Sequence, residues 1–143
     1  MNAENTKTGM QIEKDFYHIV KDGTIGQTIT GTVYRNGTRP NNAQTEDAVV
    51  AFLNGLDQQF QSGFVNINIY VPMKLNKGAA NKVRNIGRID TIMGVVQGVF
   101  GKGFDESEYM LDDQEKPTPE AMDLDEIGQT LIHTRVKFIR KTF

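Results

Sequence analysis

Hydrophobic and polar positions along the chain change period several times, and each change predicts an element. Ile12, Phe16, Ile19 and Val20 fall on one side of a helix between Thr8 and Gly23, with Glu13, Lys14, Asp15 and Lys21 on the other. Asp22-Gly23 supplies its stop, since glycine tolerates a left-handed backbone. From Gln27 the period shortens. Ile29, Gly31 and Val33 alternate with Thr30, Thr32 and Tyr34, as in a half-buried strand. Arg35–Pro40 then reads as a turn around Asn36-Gly37, followed by loop chemistry through Asn42.

Glu46–Phe60 fits two elements. As a helix capped by Thr45, it places Val49, Phe52, Leu53, Leu56 and Phe60 on one side; as a strand, Asp47–Asn54 is a β-branched run closed by Asn54-Gly55. Gly55 inside a helix would cost about 1 kcal/mol relative to alanine, yet propensity as a whole tips towards the helix. Gly63–Pro72 has a cleaner period of two: Val65, Ile67, Ile69 and Val71 alternate with Asn66, Asn68 and Tyr70, and Pro72 closes the run. Met73–Lys82 is a polar connector. Val83, Ile86, Ile89, Met93, Val96, Val99 and Phe100 then recur every three or four residues, which predicts a helix of about 18 residues and ~27 Å. Gly87, Gly94 and Gly98 would let another element approach its backbone. Phe104–Glu126 has no long apolar period and carries Pro117 and Pro119, so it reads as a long surface loop. Gln129–Phe143 ends as a strand. Ile132, Thr134, Val136 and Phe138 form one row; His133, Arg135, Lys137 and Ile139 form the other, with Arg140 and Lys141 extending its basic character.

Charge changes this picture. The total is nearly balanced, 18 acidic against 16 basic residues, which argues against a generally basic nucleic-acid binder. The balance hides an asymmetry: Phe104–Glu126 holds ten acidic residues and only Lys116, leaving 15 basic and 8 acidic residues elsewhere. A length of 143 residues suits one domain, with residues 1–9 expected to be disordered and 104–128 an acidic insertion. Met1–Met10 is polar, so no signal peptide is expected, and no apolar run approaches a membrane span.

Candidate chemistry is sparse. The chain has no cysteine, which excludes disulfide scaffolds, thiolate zinc sites and thiol nucleophiles. His18 and His133 lie in different elements without a ligand-spaced partner, and Ser62 and Ser107 sit beside loop residues rather than in a nucleophile elbow. Gly98–Gly103 imitates a phosphate loop but has Val96 where the first glycine belongs and Gly103 where Ser or Thr belongs. Asp112, Asp113 and Glu115 could meet a divalent cation but lack calcium-loop spacing, so a solvated loop is the simpler reading. Arg35, Arg39, Lys82, Arg84, Arg88, Arg135, Lys137, Arg140 and Lys141 could track a phosphate backbone, yet no alternating aromatics accompany them. No enzymatic activity and no cofactor or metal are therefore expected.

Three motifs stand in order: Arg39-Pro40 after Gly31–Thr38, then Glu46-Asp47, then Asn66-x-Asn68-x-Tyr70-Val71-Pro72. Over about residues 28–100, this order resembles the tail-terminator, or tail-completion, proteins of phage and prophage tail modules. The resemblance implies that 46–55 is a strand paired with 63–71. It implies an α+β fold: a mostly antiparallel sheet of about four strands, two helices on one face, and the long acidic loop as an addition. It also implies an architectural role without catalytic residues: a homo-oligomeric ring, a hexamer in such proteins, capping the tail tube and joining it to the head. Tail-tube and head–tail connector proteins would be the partners, with DNA passing through the ring and no membrane involved. The protein would be found in the host cytoplasm during assembly and then in the virion tail or neck. Head-to-tail contacts would place Arg35, Arg39, Arg84, Arg88, Arg135 and Lys137 of one copy against Asp105, Glu106, Glu108, Asp112, Asp113 and Glu115 of the next. The alternative is an intracellular binding module that recognises an acidic partner or peptide through its basic face.

Overall fold

A computed structural model describes residues 7–55, 62–76, 78, 81–101, 104–106, 108–111 and 116–141. Of residues 1–9, expected to be disordered, 1–6 lie outside the described residues, as do Asp112, Asp113 and Glu115 as interface groups; 7–9 are ordered instead, with Lys7 bonded to Asp15, Thr8 capping the first helix and Gly9 beginning it. The chain runs α1 (Gly9–Asp22), α2 (Thr24–Thr28), β1 (Val33–Arg35), β2 (Asp47–Gly55), β3 (Ser62–Pro72), β4 (Lys74–Leu75), β5 (Lys82–Val83), α3 (Ile86–Phe100), β6 (Asp105–Glu106), β7 (Tyr109–Leu111), β8 (Glu120–Leu124) and β9 (Gln129–Arg140). A single 3₁₀ turn, Asp125–Ile127, joins β8 to β9.

The large sheet is built on β3 and β9, which pair antiparallel along their whole length, from Ser62 opposite Ile139 to Pro72 opposite Gln129. β2 pairs antiparallel with the other edge of β3, and β1 adds parallel to β2. The far edge of β9 is shared end to end: β8 covers Gln129–His133 and β7 covers Phe138–Arg140, with β6 beyond β7. Alternation then divides the sheet into two faces. Val65, Ile67, Ile69 and Val71 of β3 and Ile132, Val136 and Phe138 of β9 are buried with Ile12, Phe16 and Val20 of α1 and Ile89, Ile92, Val96 and Phe100 of α3. Among the described residues, the opposite face carries no helix.

Several expectations are corrected. The class is α+β, but with three helices, a seven-stranded mixed sheet and a separate two-stranded sheet of β4 and β5, in place of about four strands and two helices. The acidic stretch is not one loop: β6, β7 and β8 lie within it, because the edge of β9 away from β3 is open to pairing and β7 and β8 fill it. Asp47–Gly55 is a strand paired with β3, as the resemblance implies and against the helix favoured by propensity, since β2 sits between β1 and β3 with Asp47, Ala48, Val49 and Val50 all buried. The strand expected from Thr28 shrinks to Val33–Arg35. Upstream of it the backbone donors are taken by one dipeptide: Thr30 N–H by the Glu46 carboxylate (3.1 Å), Gly31 N–H by the Glu46 carbonyl (2.9 Å) and Thr32 N–H by the Asp47 carboxylate (2.8 Å).

Smaller differences follow the same logic. α1 starts in a capping box between Thr8 and Gln11. It ends at Gly23 with an extended backbone (φ −97°) rather than a left-handed one, and α2 restarts at once. Asn36-Gly37 does make its turn, with Gly37 at φ +83°. α3 has 15 residues rather than about 18, because Asn85 caps it and leaves Ile86 exposed at its mouth. Gly87, Gly94 and Gly98 face open space, with nothing within 4 Å of a would-be Cβ, so no element among the described residues exploits them. Among the described residues, no helix is long and apolar enough to cross a membrane.

Phe16 is the hub that ties the first helix to the sheet. Its ring is fully buried, 4.8 Å from Tyr109, 5.4 Å from Phe138 and 6.3 Å from Phe104, centroid to centroid. Phe16→Ala should cost about 3–5 kcal/mol, read as a shift of the urea unfolding midpoint. A loss below 1 kcal/mol would show that α1 is not part of the core.

Candidate functional site

The arginines that the sequence nominates as interface groups separate into two populations. Arg35, Arg39, Arg84 and Arg88 are each engaged by a carboxylate of their own chain. Arg35 Nε donates to Glu13 Oε1 (3.1 Å) and its Nη2 to the Met10 carbonyl (2.9 Å), which fastens β1 to α1. Arg84 Nε meets Asp123 Oδ1 at 2.7 Å, and Thr130 Oγ1 shares that oxygen at 3.0 Å. Both of these cations keep substantial solvent exposure, so their pairs contribute little to stability.

Arg39 and Arg88 are held by acids that are themselves buried, the neighbours Asp47 and Glu46; Arg39 is nearly enclosed, whereas the Arg88 side chain keeps 33% exposure. Asp47 is fully buried and accepts from Thr45 Oγ1 (2.6 Å), Thr32 N–H (2.8 Å) and Arg39 Nε (2.9 Å). Arg39 also donates to the Thr45 carbonyl (3.1 Å) and Gln129 Oε1 (2.9 Å), and its guanidinium lies 4.1 Å from the Tyr70 ring centroid. Gln129 closes the circuit by donating to the Ala43 carbonyl at 2.6 Å. Glu46, one residue earlier, points to the helix side and takes Arg88 at 2.6 and 3.1 Å, while Arg88 also donates to the Thr28 carbonyl at 3.0 Å. Gly31 threads this cluster: a Cβ there would collide with the Asp47 carboxylate and the Glu46 carbonyl.

The sequence motifs thus converge in space. Arg39, Glu46-Asp47 and Tyr70, read separately along the chain, form one network. Burial opposes the Asp47 charge, but the bonds from Thr45, Thr32 and Arg39 outweigh it and hold the carboxyl below its ordinary range. The bond to Glu46 raises Arg88 further.

A second network closes the β7 edge. Lys7 Nζ bridges Asp15 (2.6 Å) and Glu108, Tyr109 donates to Asp15 Oδ2 at 2.6 Å, and Arg140 Nε reaches Glu108 Oε2 at 3.0 Å. Arg140 was expected on the exposed basic row; it is buried, because its parity matches Val136 and Phe138 rather than Arg135. Glu108 therefore serves its own chain. Asp105 and Glu106 form β6, at the sheet edge beyond β7. Burial, then the bond to Asp15, pushes the Tyr109 hydroxyl well above its usual value. Burial would lower Lys7, but its bonds to Asp15 and Glu108 win and raise it.

Arg135 and Lys137 are different: they stand on the uncovered face of the sheet. The Arg135 guanidinium stacks 3.8 Å from the Phe64 ring centroid, and Lys137 Nζ is 5.9 Å from the same ring. His133, one step along, bonds Asn68 Oδ1 at 2.7 Å. Together with Lys116, Glu120 and Pro117, these residues line a cavity of about 400 Å³. Sequence reasoning named Arg135 and Lys137 but missed Phe64, Lys116 and His133 as their companions. The signal lay in the antiparallel register of β3 and β9, which sets Phe64 opposite Lys137 and Asn68 opposite His133. No group of three metal-ligating side chains occurs among the described residues. No protein-family model and no curated protein matches the chain.

Asp47→Ala would leave Arg39 buried without its counter-charge and should cost about 3–5 kcal/mol; adding Arg39→Met should recover part of that loss in a double-mutant cycle of urea midpoints. Additive losses would contradict a direct pair. The same groups set the pH limits of stability. Asp47 contributes fully above its unfolded value of about 4, and the contribution is lost as pH falls through the lower folded value. Tyr109 and Lys7 are raised, so their contribution is complete below about pH 10 and is lost above it. Urea midpoints should therefore plateau between these limits, with Asp47→Asn flattening the acid limb and Tyr109→Phe the alkaline one.

Proposed function

We propose that the chain is an architectural protein of a phage or prophage tail, of the tail-terminator or tail-completion type, acting as a ring of copies at the tail-tube end. The observation that carries this reading is the convergence of its resembling motifs: Arg39, Glu46-Asp47 and Tyr70 close into one network between β2, β3 and the loop before β2. Residues that recur in such an order for structural reasons should meet in space, and these do. Two further features support it. The chain is poor in reactive side chains, and one whole sheet face is left without a helix while carrying a stacked arginine, Arg135. A ring needs such a face, because a head-to-tail contact closes through unlike surfaces.

The basic cavity also favours a second reading, a module that binds an acidic peptide. The two separate on assembly. In light scattering and negative-stain microscopy the purified chain should form closed rings. Arg135→Glu/Lys137→Glu should abolish them while changing stability by no more than about 0.5 kcal/mol, as surface substitutions do. Rings that survive this charge reversal would contradict the proposed face; a chain that never assembles but still captures acidic peptides would favour the module.

A further inference from the structure

We infer that the cavity on the uncovered sheet face is the socket for a particular corner of a second copy: the 3₁₀ turn Asp125-Glu126-Ile127. This deepens the architectural reading of the same face and rests on it for the source of the occupant.

The socket is built for carboxylates. Among the described residues of its lining, Lys116 and Arg135 outnumber Glu120, with Lys137, His133 and Phe64 completing its wall. The Arg135 guanidinium lies over the Phe64 ring, 3.8 Å from its centroid, and a guanidinium can take a carboxylate through two parallel bonds. Among the described residues no carboxylate pairs with it. With the Asn68 carbonyl accepting from Nδ1 of His133, the other ring nitrogen is left unengaged. The cavity, at about 400 Å³, falls in the range of pockets that enclose a ligand group.

The corner is the complementary piece. Asp125 and Glu126 are exposed, and no ion pair or side-chain hydrogen bond engages either among the described residues. Ile127 beside them is 39% exposed, an apolar anchor next to two charges. The turn is fixed rather than loose. Gly128 caps it at φ +65°, its N–H bonds the Asp125 carbonyl (3.2 Å), and its own carbonyl accepts from Met73 N–H (2.9 Å). A preformed corner loses little freedom on docking.

The corner cannot reach the socket of its own chain. Glu120 at the cavity pairs with His133, whereas Leu124, next to the corner, pairs with Gln129. Those four residues of strand separate corner from cavity by about 13 Å, far beyond ion-pair reach. The two surfaces do not overlap, so the contact between copies is head-to-tail and repeats.

The test is a charge swap read by sedimentation velocity. Wild type should assemble. Lys116→Glu/Arg135→Glu and Asp125→Lys/Glu126→Lys should each remain folded by circular dichroism and each weaken self-association about 10-fold or more. An equimolar mixture of the two variants should assemble again. The intact corner of the first fits the intact socket of the second, and the reversed lysine corner faces the reversed glutamate socket. A wild type that assembles with both variants assembling equally well overturns this socket and leaves the ring reading standing. A wild type that stays monomeric overturns the ring reading and the socket with it.

Discussion

Two adjacent carboxylates, Glu46 and Asp47, govern how this chain is put together. Successive side chains at the start of a strand point to opposite faces. Glu46 therefore reaches Arg88 of α3 on the helix side, and Asp47 reaches Arg39 on the open side. Between them they also accept the N–H groups of Thr30, Gly31 and Thr32. One dipeptide thus fixes the path from α2 into β1, the loop from Arg39 to Thr45 and the seat of α3. A buried ion pair is weak grounds for net stability, since desolvation consumes much of the attraction. Its effect here is selective: few other chain paths satisfy two buried acids and the three backbone donors at once.

This arrangement decides which charges are available to a partner. Arg39 is consumed inside, Arg35, Arg84 and Arg88 are paired while partly exposed, and Arg140 is buried against Glu108. What the fold leaves on the helix-free face is a short basic row of β9 backed by Phe64 of β3. A chain with nearly balanced charge thereby presents a polarised surface, and the acidic excess between Phe104 and Glu126 is likewise divided into residues spent internally, Glu108 and Asp123, and residues left outside, Asp125 and Glu126.

Much of the fold was legible from periodicity because burial acts on it directly. β3 and β9 are half-buried antiparallel strands, so their alternation shows in the sequence as Val65-Ile67-Ile69-Val71 and Ile132–Phe138. The amphipathic α1 and the body of α3 show for the same reason. β2 did not, because its first four residues are all buried and period two disappears; its β-branched run left helix and strand both open, and the family resemblance tipped the choice to a strand. The false strand at Thr28–Thr32 looked correct in composition, but its hydrogen bonds go to side-chain carboxylates fifteen or so residues away, which no local pattern records. β7 and β8 were hidden because their existence depends on the free edge of a long β9. At the candidate site, Arg135 and Lys137 were visible as an outward row, whereas the pairing of the remaining arginines required the tertiary structure. Tyr70 and Arg39 are 31 positions apart in the chain and become neighbours only through the β2–β3 register.

The division of the arginines into buried clamps and an outward docking group is open to one direct measurement: arginine-selective dicarbonyl labelling, quantified residue by residue by mass spectrometry in dilute and in assembled protein. Arg39 and Arg140 should resist the reagent in both states, and Arg135 should react when dilute and become protected on assembly. Equal labelling of Arg135 in the two states, or ready labelling of Arg39 and Arg140 in the folded chain, would contradict the account.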